Sequence, residues 1–215
     1  SQKKMLEKLT HQNIPIFTSL HIGEEVSHTY VADLQEMCDW LHANGFLIMA
    51  DVSPYTLERF EVTSLRELVE QLHLNNLRLD FGFDTQSLTD ELEGIYLTFN
   101  ASTILGEMAI YEGASYMHNF YPRPETGLDR TFFEDLNKMI RDKGGKVLAF
   151  ITGDEKKRGP IFEGLPTLEY HRYVAPYAQF VDLLNTYEMD AVYLGDLVLS
   201  EQQLDLILQY KEDRI

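Results

Sequence analysis

Short apolar runs that end in a polar residue alternate with amphipathic stretches along most of the chain. Seven runs of this kind occur, and their sequences are "IPIFTSL", "FLIMADVSP", "LRLDFGF", "IYLTFNAST", "YMHNFYP", "KVLAFITGD" and "AVYLGD". Their apolar character is continuous, which is typical of strands that are buried on both faces. The pattern therefore predicts seven buried strands.

The stretches between the runs have apolar residues at helical spacing. "VADLQEMCDWLHANG" ends in Asn44 and Gly45, a common helix stop, and "SLRELVEQLHLNN" opens with Ser64 and Glu67 in a capping-box pattern. "DRTFFEDLNKMIRDKGG" also ends in glycine, and "SEQQLDLILQYKEDRI" opens on a Ser200 cap. Strands that alternate with helices predict βαβ units and a parallel sheet.

The order of these elements predicts an α/β fold of the (β/α)8 TIM-like barrel type. Such a barrel is closed by an eighth strand. The opening stretch "SQKKMLEKLTHQNIP" instead reads as an amphipathic helix. We therefore expect the first strand to lie upstream of Ser1, so that residues 1–215 form most of one barrel domain of a longer protein. An open, doubly wound sheet is the alternative.

Composition narrows the classes of function. The 215 residues are 44% hydrophobic, enough for the core of one domain, and the formal net charge is −17. A protein with this negative charge repels nucleic acid and anionic membrane surfaces, so neither is an expected partner. No apolar stretch is long enough to span a membrane. The single cysteine, Cys38, excludes an internal disulfide and favours the cytoplasm.

Polar residues recur where the predicted strands end, which is the functional edge of a TIM-like barrel. They are Asp51, Asp80, Asn100, Asn119, Asp154 and Asp196. The structural alternative is that each caps the next helix or shapes the next turn.

Asp80 is the strongest single candidate among them. It follows an apolar strand beside Phe81 and Phe83, where desolvation would raise its pKa toward that of a general acid. The alternative is a carboxylate that is neutralised by a neighbouring arginine such as Arg78. Asn100 suits either a sugar hydroxyl or acyl group of a ligand, or a tie within its own loop.

A long polar segment after the sixth run, "TGDEKKRGPIFEGLPTLEYHR", carries the main basic cluster of this acidic chain. Barrel phosphate sites often form in the loops after the last two strands, and arginine forks match phosphate oxygens. The alternative is a solvated, charged loop. The candidate residues in this segment are Lys156, Lys157, Arg158, Glu163, Glu169, His171 and Arg172.

A second candidate segment is "MHNFYPRPETG", in which two prolines stiffen a turn that is rich in polar and aromatic groups. We expect His118 or Asn119, together with Tyr121 and Arg123, to line the barrel mouth. The alternative is a core histidine and a packing tyrosine.

Motifs for several common chemistries are missing from the sequence. It has no Walker loop, GxGxxG, GxSxG or HExxH motif. The pairs Glu169/His171 and His118/Asp196 could bind a metal, but their spacing does not require one, and neither a metal nor a cofactor is expected.

Four stretches, "HNFYPRPETGL", "GPIFEGLPTLEYHR", "LRLDFGF" and "FNAST", together resemble the intracellular 6-phospho-N-acetylmuramidases of bacterial cell-wall recycling. The resemblance runs from "IFTSLHI" to "LGDLVLS". It implies a (β/α)8 barrel that is followed by a cyclophilin-like β domain. The family's first strand, which carries a Tyr-Pro-Glu-like end, and that second domain are both expected outside this chain.

The implied activity is hydrolysis of the β-1,4 bond between 6-phospho-N-acetylmuramic acid and N-acetylglucosamine. One carboxylic acid would protonate the leaving oxygen, and a second carboxylate would act as nucleophile or base. We expect Asp80 and Glu169 in these roles, with Asp196, Asp51 and Glu163 in reserve. Arg123, Arg158 and Arg172 are expected to contact the phosphate. The alternatives are a metal-dependent sugar-phosphate aldolase or lyase, and a non-catalytic carbohydrate-binding barrel.

Overall fold

The computed structural model describes residues 2–20, 29–79, 92–103 and 110–212. The helices are α1 (Gln2–Glu7), α2 (Tyr30–Ala43), α3 (Pro54–Arg59), α4 (Leu65–Leu72), α5 (Arg130–Asp142), α6 (Pro176–Asn185) and α7 (Glu201–Glu212). The strands are β1 (Pro15–Ser19), β2 (Leu47–Val52), β3 (Leu74–Leu79), β4 (Tyr96–Asn100), β5 (Ser115–Met117), β6 (Lys146–Ile151) and β7 (Ala191–Leu194). Short 3₁₀ turns lie at Ala101–Thr103 and Glu169–His171.

Within the described residues, seven strands form one sheet in the order β1-β2-β3-β4-β5-β6-β7. The pairs whose register is described are all parallel. Sequential parallel strands with helical connections define the TIM-like (β/α)8 fold, here with one strand fewer. The predicted fold class is therefore confirmed. A doubly wound sheet is excluded, because its strand order reverses partway across the sheet.

Strands β1 and β7 stand at the two ends of this order. An upstream strand between them, and a further domain beyond residue 215, stay predictions.

The chain divides into two compact units, Glu7–Phe99 and Asn100–Ile215, the latter together with Ser1–Leu6. In the first unit, α4 buries one apolar stripe at helical spacing, formed by Leu65, Leu68, Val69 and Leu72. In the second unit, α5 buries a stripe with the same spacing, formed by Phe133, Leu136, Asn137 and Ile140. Each large apolar side chain removed from water in this way contributes about 2 kcal/mol.

Side-chain caps start these two helices, and the cap at Ser64 was predicted from the sequence. Ser64 Oγ accepts a hydrogen bond from Glu67 N at 3.2 Å before α4, and Asp129 Oδ1 accepts one from Phe132 N at 3.0 Å before α5. One boundary differs from the expectation. His73 adopts a left-handed conformation with φ of 54° and ends α4, so that β3 begins within the stretch expected to be helical.

Candidate active site

Asp51 lies at the carboxyl end of β2 and forms an ion pair with Arg78 of β3. Arg78 Nη1 donates to Asp51 Oδ1 at 3.0 Å, and the two residues are register partners in the parallel pairing. Both side chains are largely withdrawn from solvent, which strengthens the pair relative to one at the surface. Asp80, the expected general acid, and its neighbours Phe81 and Phe83 lie outside the described residues.

Asn100 and Asn119 take part in the loops that follow β4 and β5. Asn100 Oδ1 accepts a hydrogen bond from Ser102 N at 3.0 Å, which is the loop-tying role that the sequence left open. The main-chain nitrogen of Asn119 donates to Ser102 Oγ at 3.0 Å, and its carbonyl accepts from Thr167 Oγ1 at 3.0 Å. Contact of either amide with a substrate stays a prediction.

Asp196 follows β7 and fastens neighbouring loops through their main chains. Its carboxylate accepts hydrogen bonds from Gly153 N and Arg158 N, each at 2.8 Å, and from Leu165 N at 3.3 Å. The side chain is only 5% exposed. Three main-chain donors occupy most of its acceptor positions, so the observed geometry is that of a carboxylate that organises the loops.

Glu169 makes four hydrogen bonds through its carboxylate. Arg172 Nε and Nη2 donate to its two oxygens at 2.7 and 2.6 Å in a bidentate fork, and the main-chain nitrogens of Glu125 and Gly127 donate at 2.8 and 2.7 Å. The Arg172 bond, supported by the two main-chain donors, lowers the pKa of Glu169 to about 2. A carboxyl group with this pKa carries no proton at neutral pH, so it cannot act there as a general acid.

Arg172 was expected to contact phosphate, but its guanidinium makes four hydrogen bonds within the protein. Besides the fork to Glu169, its Nη1 donates to Tyr121 O at 3.0 Å and to Gly164 O at 2.9 Å. The residue is 1% exposed. A ligand could reach this group only by displacing these bonds, so the structure places Arg172 inside the loop rather than at its surface.

The side chains of His118 and His171 both face helices, which for His118 is the core-histidine alternative to the barrel mouth. His118 Nε2 bonds to Asn137 Oδ1 of α5 at 2.7 Å, its ring packs on Phe133, and its burial lowers its pKa to about 4. His171 Nε2 bonds to Asp182 Oδ2 of α6 at 2.9 Å, and burial lowers its pKa as well. Strand alternation predicts that neighbouring residues face opposite ways, but not which of them faces the helices.

Arg123 and Arg158 are two exposed arginines of this unit. Both are exposed, and neither forms an ion pair with a carboxylate in the described part of the chain. The Arg158 guanidinium lies 5.7 Å from the centroid of the Phe120 ring. Half-buried Glu163 accepts a bond of 3.4 Å from the hydroxyl of Tyr173.

Two features near these cations were not predicted from the sequence. The rings of Phe162 and Tyr173 are 61% and 73% exposed on the long loop, and aromatic residues within a polar segment were the available signal. A partly buried polar network also surrounds Asp182, which accepts a hydrogen bond from the hydroxyl of Tyr170 and bonds to His171. The sequence feature that could have indicated this network is an acidic residue within the apolar stretch "FVDLL".

The described residues contain neither a metal-binding cluster nor a membrane-spanning helix. In the described ranges, no three His, Cys, Asp or Glu side chains lie close enough to hold a metal ion. Within those ranges there is also no helix with the length and apolar character needed to cross a bilayer.

A sheet of sequential parallel strands, with polar residues at the strand ends, defines the class of TIM-like barrel proteins. The chain belongs to the family described as "6-phospho-N-acetylmuramidase, N-terminal", whose model matches residues 1–209. No curated protein matches the chain.

Two crystal structures are similar to this chain. One is a conserved protein of unknown function from Enterococcus faecalis, with 34% identity and a TM-score of 0.84 over 99% of this chain. The other is an uncharacterized Bacillus cereus protein, with 26% identity and a TM-score of 0.74 over 96% of this chain. The chain spans 62% and 60% of their respective lengths.

Proposed function

We propose that the chain is the barrel part of a cytoplasmic glycoside hydrolase. Its substrate is a disaccharide in which 6-phospho-N-acetylmuramic acid is joined by a β-1,4 bond to N-acetylglucosamine. The observation that carries this proposal is the match of residues 1–209 to the 6-phospho-N-acetylmuramidase family. The proposed reaction needs no cofactor, because carboxyl groups of the protein supply both proton transfer and nucleophilic or base assistance.

The distribution of cations supports a phosphorylated ligand. The chain has a net charge of −17, and anionic ligands are repelled by most of such a surface. Exposed arginines without carboxylate partners in the described residues are therefore the best candidates for phosphate contact. Arg123 and Arg158 meet this condition, whereas Arg172 is occupied by Glu169. We assign the phosphate contact to Arg123 and Arg158.

The environments of Glu169 and Asp196 support a changed choice of the second catalytic carboxylate. Glu169 and Asp196 are bound by main-chain donors, and the low pKa of Glu169 conflicts with proton donation. We therefore propose Asp80 as the acid that protonates the leaving sugar oxygen. Asp51, held at the end of β2 by Arg78, is proposed as the second carboxylate.

The test is an assay of the full-length protein on the phosphorylated disaccharide, with and without a chelator. Asp80→Asn should lower kcat at least about 100-fold, as expected when a general acid is lost. The matched control is Asp154→Asn, because Asp154 also follows a strand but binds Ser200 N and Oγ at 2.8 and 2.6 Å in front of α7. The control variant should retain turnover.

Three outcomes contradict the proposal. Turnover that survives Asp80→Asn but disappears with chelator favours the metal-dependent aldolase or lyase. Tight binding of the disaccharide without any turnover favours a carbohydrate-binding barrel. Equal losses in the Asp80 and Asp154 variants show that the effect comes from the fold rather than from the chemistry.

A further inference from the structure

A short segment of the second unit is held at both ends by a buried arginine and a half-buried glutamate. We call residues 121–127 the corner segment, and Glu169 with Arg172 the clamp. At the start of the corner segment, Arg172 Nη1 donates to Tyr121 O at 3.0 Å. At its end, Gly127 N donates to Glu169 Oε2 at 2.7 Å. The fork between Glu169 and Arg172 joins these two anchor points, so the ends of the segment are fixed relative to each other.

The main chain of the corner segment is adapted to this attachment. Glu125 adopts the left-handed conformation with φ of 64°, which is unfavourable for a residue with a side chain, and its nitrogen donates to Glu169 Oε1 at 2.8 Å. Gly127 lies so close that an added Cβ would stand 2.6 Å from Glu169 Oε2. The contact therefore requires a strained residue and a glycine on one side and a carboxylate on the other.

The residue held between the two anchor points is Arg123. Its carbonyl accepts hydrogen bonds from Thr126 N at 3.3 Å and Thr126 Oγ1 at 2.6 Å, so its backbone is fixed from within the segment. Pro122 and Pro124 restrict the backbone on either side. Its side chain is exposed and has no carboxylate partner among the described residues. The segment thus presents a single unpaired cation from a rigid backbone.

We propose that the clamp is a positioning device that holds Arg123 for contact with a phosphate monoester on the ligand. This inference rests on the proposed function, which supplies a phosphorylated sugar. Glu169 and Arg172 do not touch the ligand. They order the corner segment before the ligand arrives. Ligand binding therefore does not lose the conformational entropy that ordering this segment would otherwise cost.

The direct test measures the dissociation constant of N-acetylmuramic acid 6-phosphate by isothermal titration calorimetry. Glu169→Gln keeps the size of the side chain but replaces one carboxylate oxygen by an NH2 group. That group cannot accept the hydrogen bonds that the Arg172 guanidinium and the main-chain nitrogens of Glu125 and Gly127 donate. It should weaken binding about tenfold, the loss expected for one charge-assisted contact that is no longer held in place. Binding of N-acetylmuramic acid without phosphate should not change, although that sugar keeps its carboxylate.

A double variant separates positioning from a general loss of stability. If the clamp acts through Arg123, Glu169→Gln should cause no further loss in an Arg123→Ala background, because coupled residues are not additive. The matched control is Tyr170→Phe, which removes a partly buried hydrogen bond from the same 3₁₀ turn without touching the corner segment. It should lower the Tm without changing the dissociation constant.

A second variant covers the case in which Glu169→Gln does not fold. Glu125→Gly relieves the left-handed strain but loosens the backbone, so that stability should change little and binding should weaken about two- to fivefold. In turnover assays, both variants should raise KM on the phosphorylated disaccharide and leave kcat nearly unchanged.

The outcomes distinguish this inference from the proposed function. If Arg123→Ala weakens binding but Glu169→Gln and Glu125→Gly do not, the clamp has no positioning role and the proposed function stands. Additive losses in the double variant overturn the inference as well. If the wild-type protein binds the phosphorylated sugar with the expected clamp dependence but never cleaves the disaccharide, the positioning role stands and the hydrolase fails. If Arg123→Ala binds as tightly as the wild type, the inference is wrong from its first step.

Discussion

The buried imidazole of His118 makes a quantitative prediction about stability in acid. The ring is fully buried, its Nε2 bonds to Asn137 Oδ1 at 2.7 Å, and desolvation lowers its pKa from 6.5 to about 4. The unfolded chain therefore binds a proton as the pH falls through 6.5, whereas the native protein does not until about pH 4. The stability that comes from the neutral ring is present above pH 6.5 and is lost progressively down to pH 4.

The magnitude follows from the two pKa values. With 6.5 in the unfolded chain and about 4 in the folded protein, linkage gives a loss of about 2 kcal/mol at pH 5 and about 0.2 kcal/mol at pH 7. The matched variant is His118→Gln, because the amide nitrogen of glutamine can donate to Asn137 as Nε2 does and does not titrate. Packing against Phe133 is reduced in this variant, but that loss is the same at every pH.

The assay is urea denaturation followed by circular dichroism at pH 7 and pH 5, for the wild-type chain and for His118→Gln. The free energy of unfolding of the wild type should fall about 2 kcal/mol more than that of the variant between these two pH values. All other titrating groups are shared, so their effects cancel in the difference. Parallel pH dependences, or a measured His118 pKa near 6.5 in the folded protein, would refute the reasoning.

Three further predictions concern the loops of the second unit. Gly195→Ala should lower the free energy of unfolding by roughly 2 kcal/mol or more in urea denaturation, because an added Cβ would collide with the carbonyl of Leu165. Asp196→Asn should cost about 1–3 kcal/mol in the same measurement, since the amide nitrogen cannot accept the main-chain bonds that the carboxylate accepts. Tyr170→Phe should cost about 1 kcal/mol, and an unchanged Tm would contradict its hydrogen bond to Asp182.

Much of the fold could be predicted because the controlling signals are local. Continuous apolar runs mark buried parallel strands, and a cap such as Ser64 acts on a nitrogen only three residues away. The strand order then follows from the rule that consecutive parallel strands lie side by side. The early start of β3 at Leu74 was missed because only the backbone shows that His73 adopts a left-handed conformation.

The candidate site could be predicted less well, because its partners are distant in sequence. The long loop and the corner segment were both recognised, but Glu169 and Gly127 stand 42 residues apart, and no local pattern indicates that they meet. The sequence does not distinguish a charged residue that contacts a ligand from one that bonds to other groups of the protein. Arg123 and Arg172 were therefore assigned the same role, although the first is exposed and the second is 1% exposed.

The attachment of the corner segment to the long loop has a consequence for protein engineering. The two loops behave as one exchangeable cassette, because Gly127, Glu169 and Arg172 meet at a single junction. Grafting the long loop alone onto another barrel scaffold would deprive Glu169 of its two main-chain donors, Glu125 N and Gly127 N, and Arg172 of the Tyr121 carbonyl. A library intended to alter ligand preference should therefore vary positions 122–124 and 156–163 and keep these three residues constant.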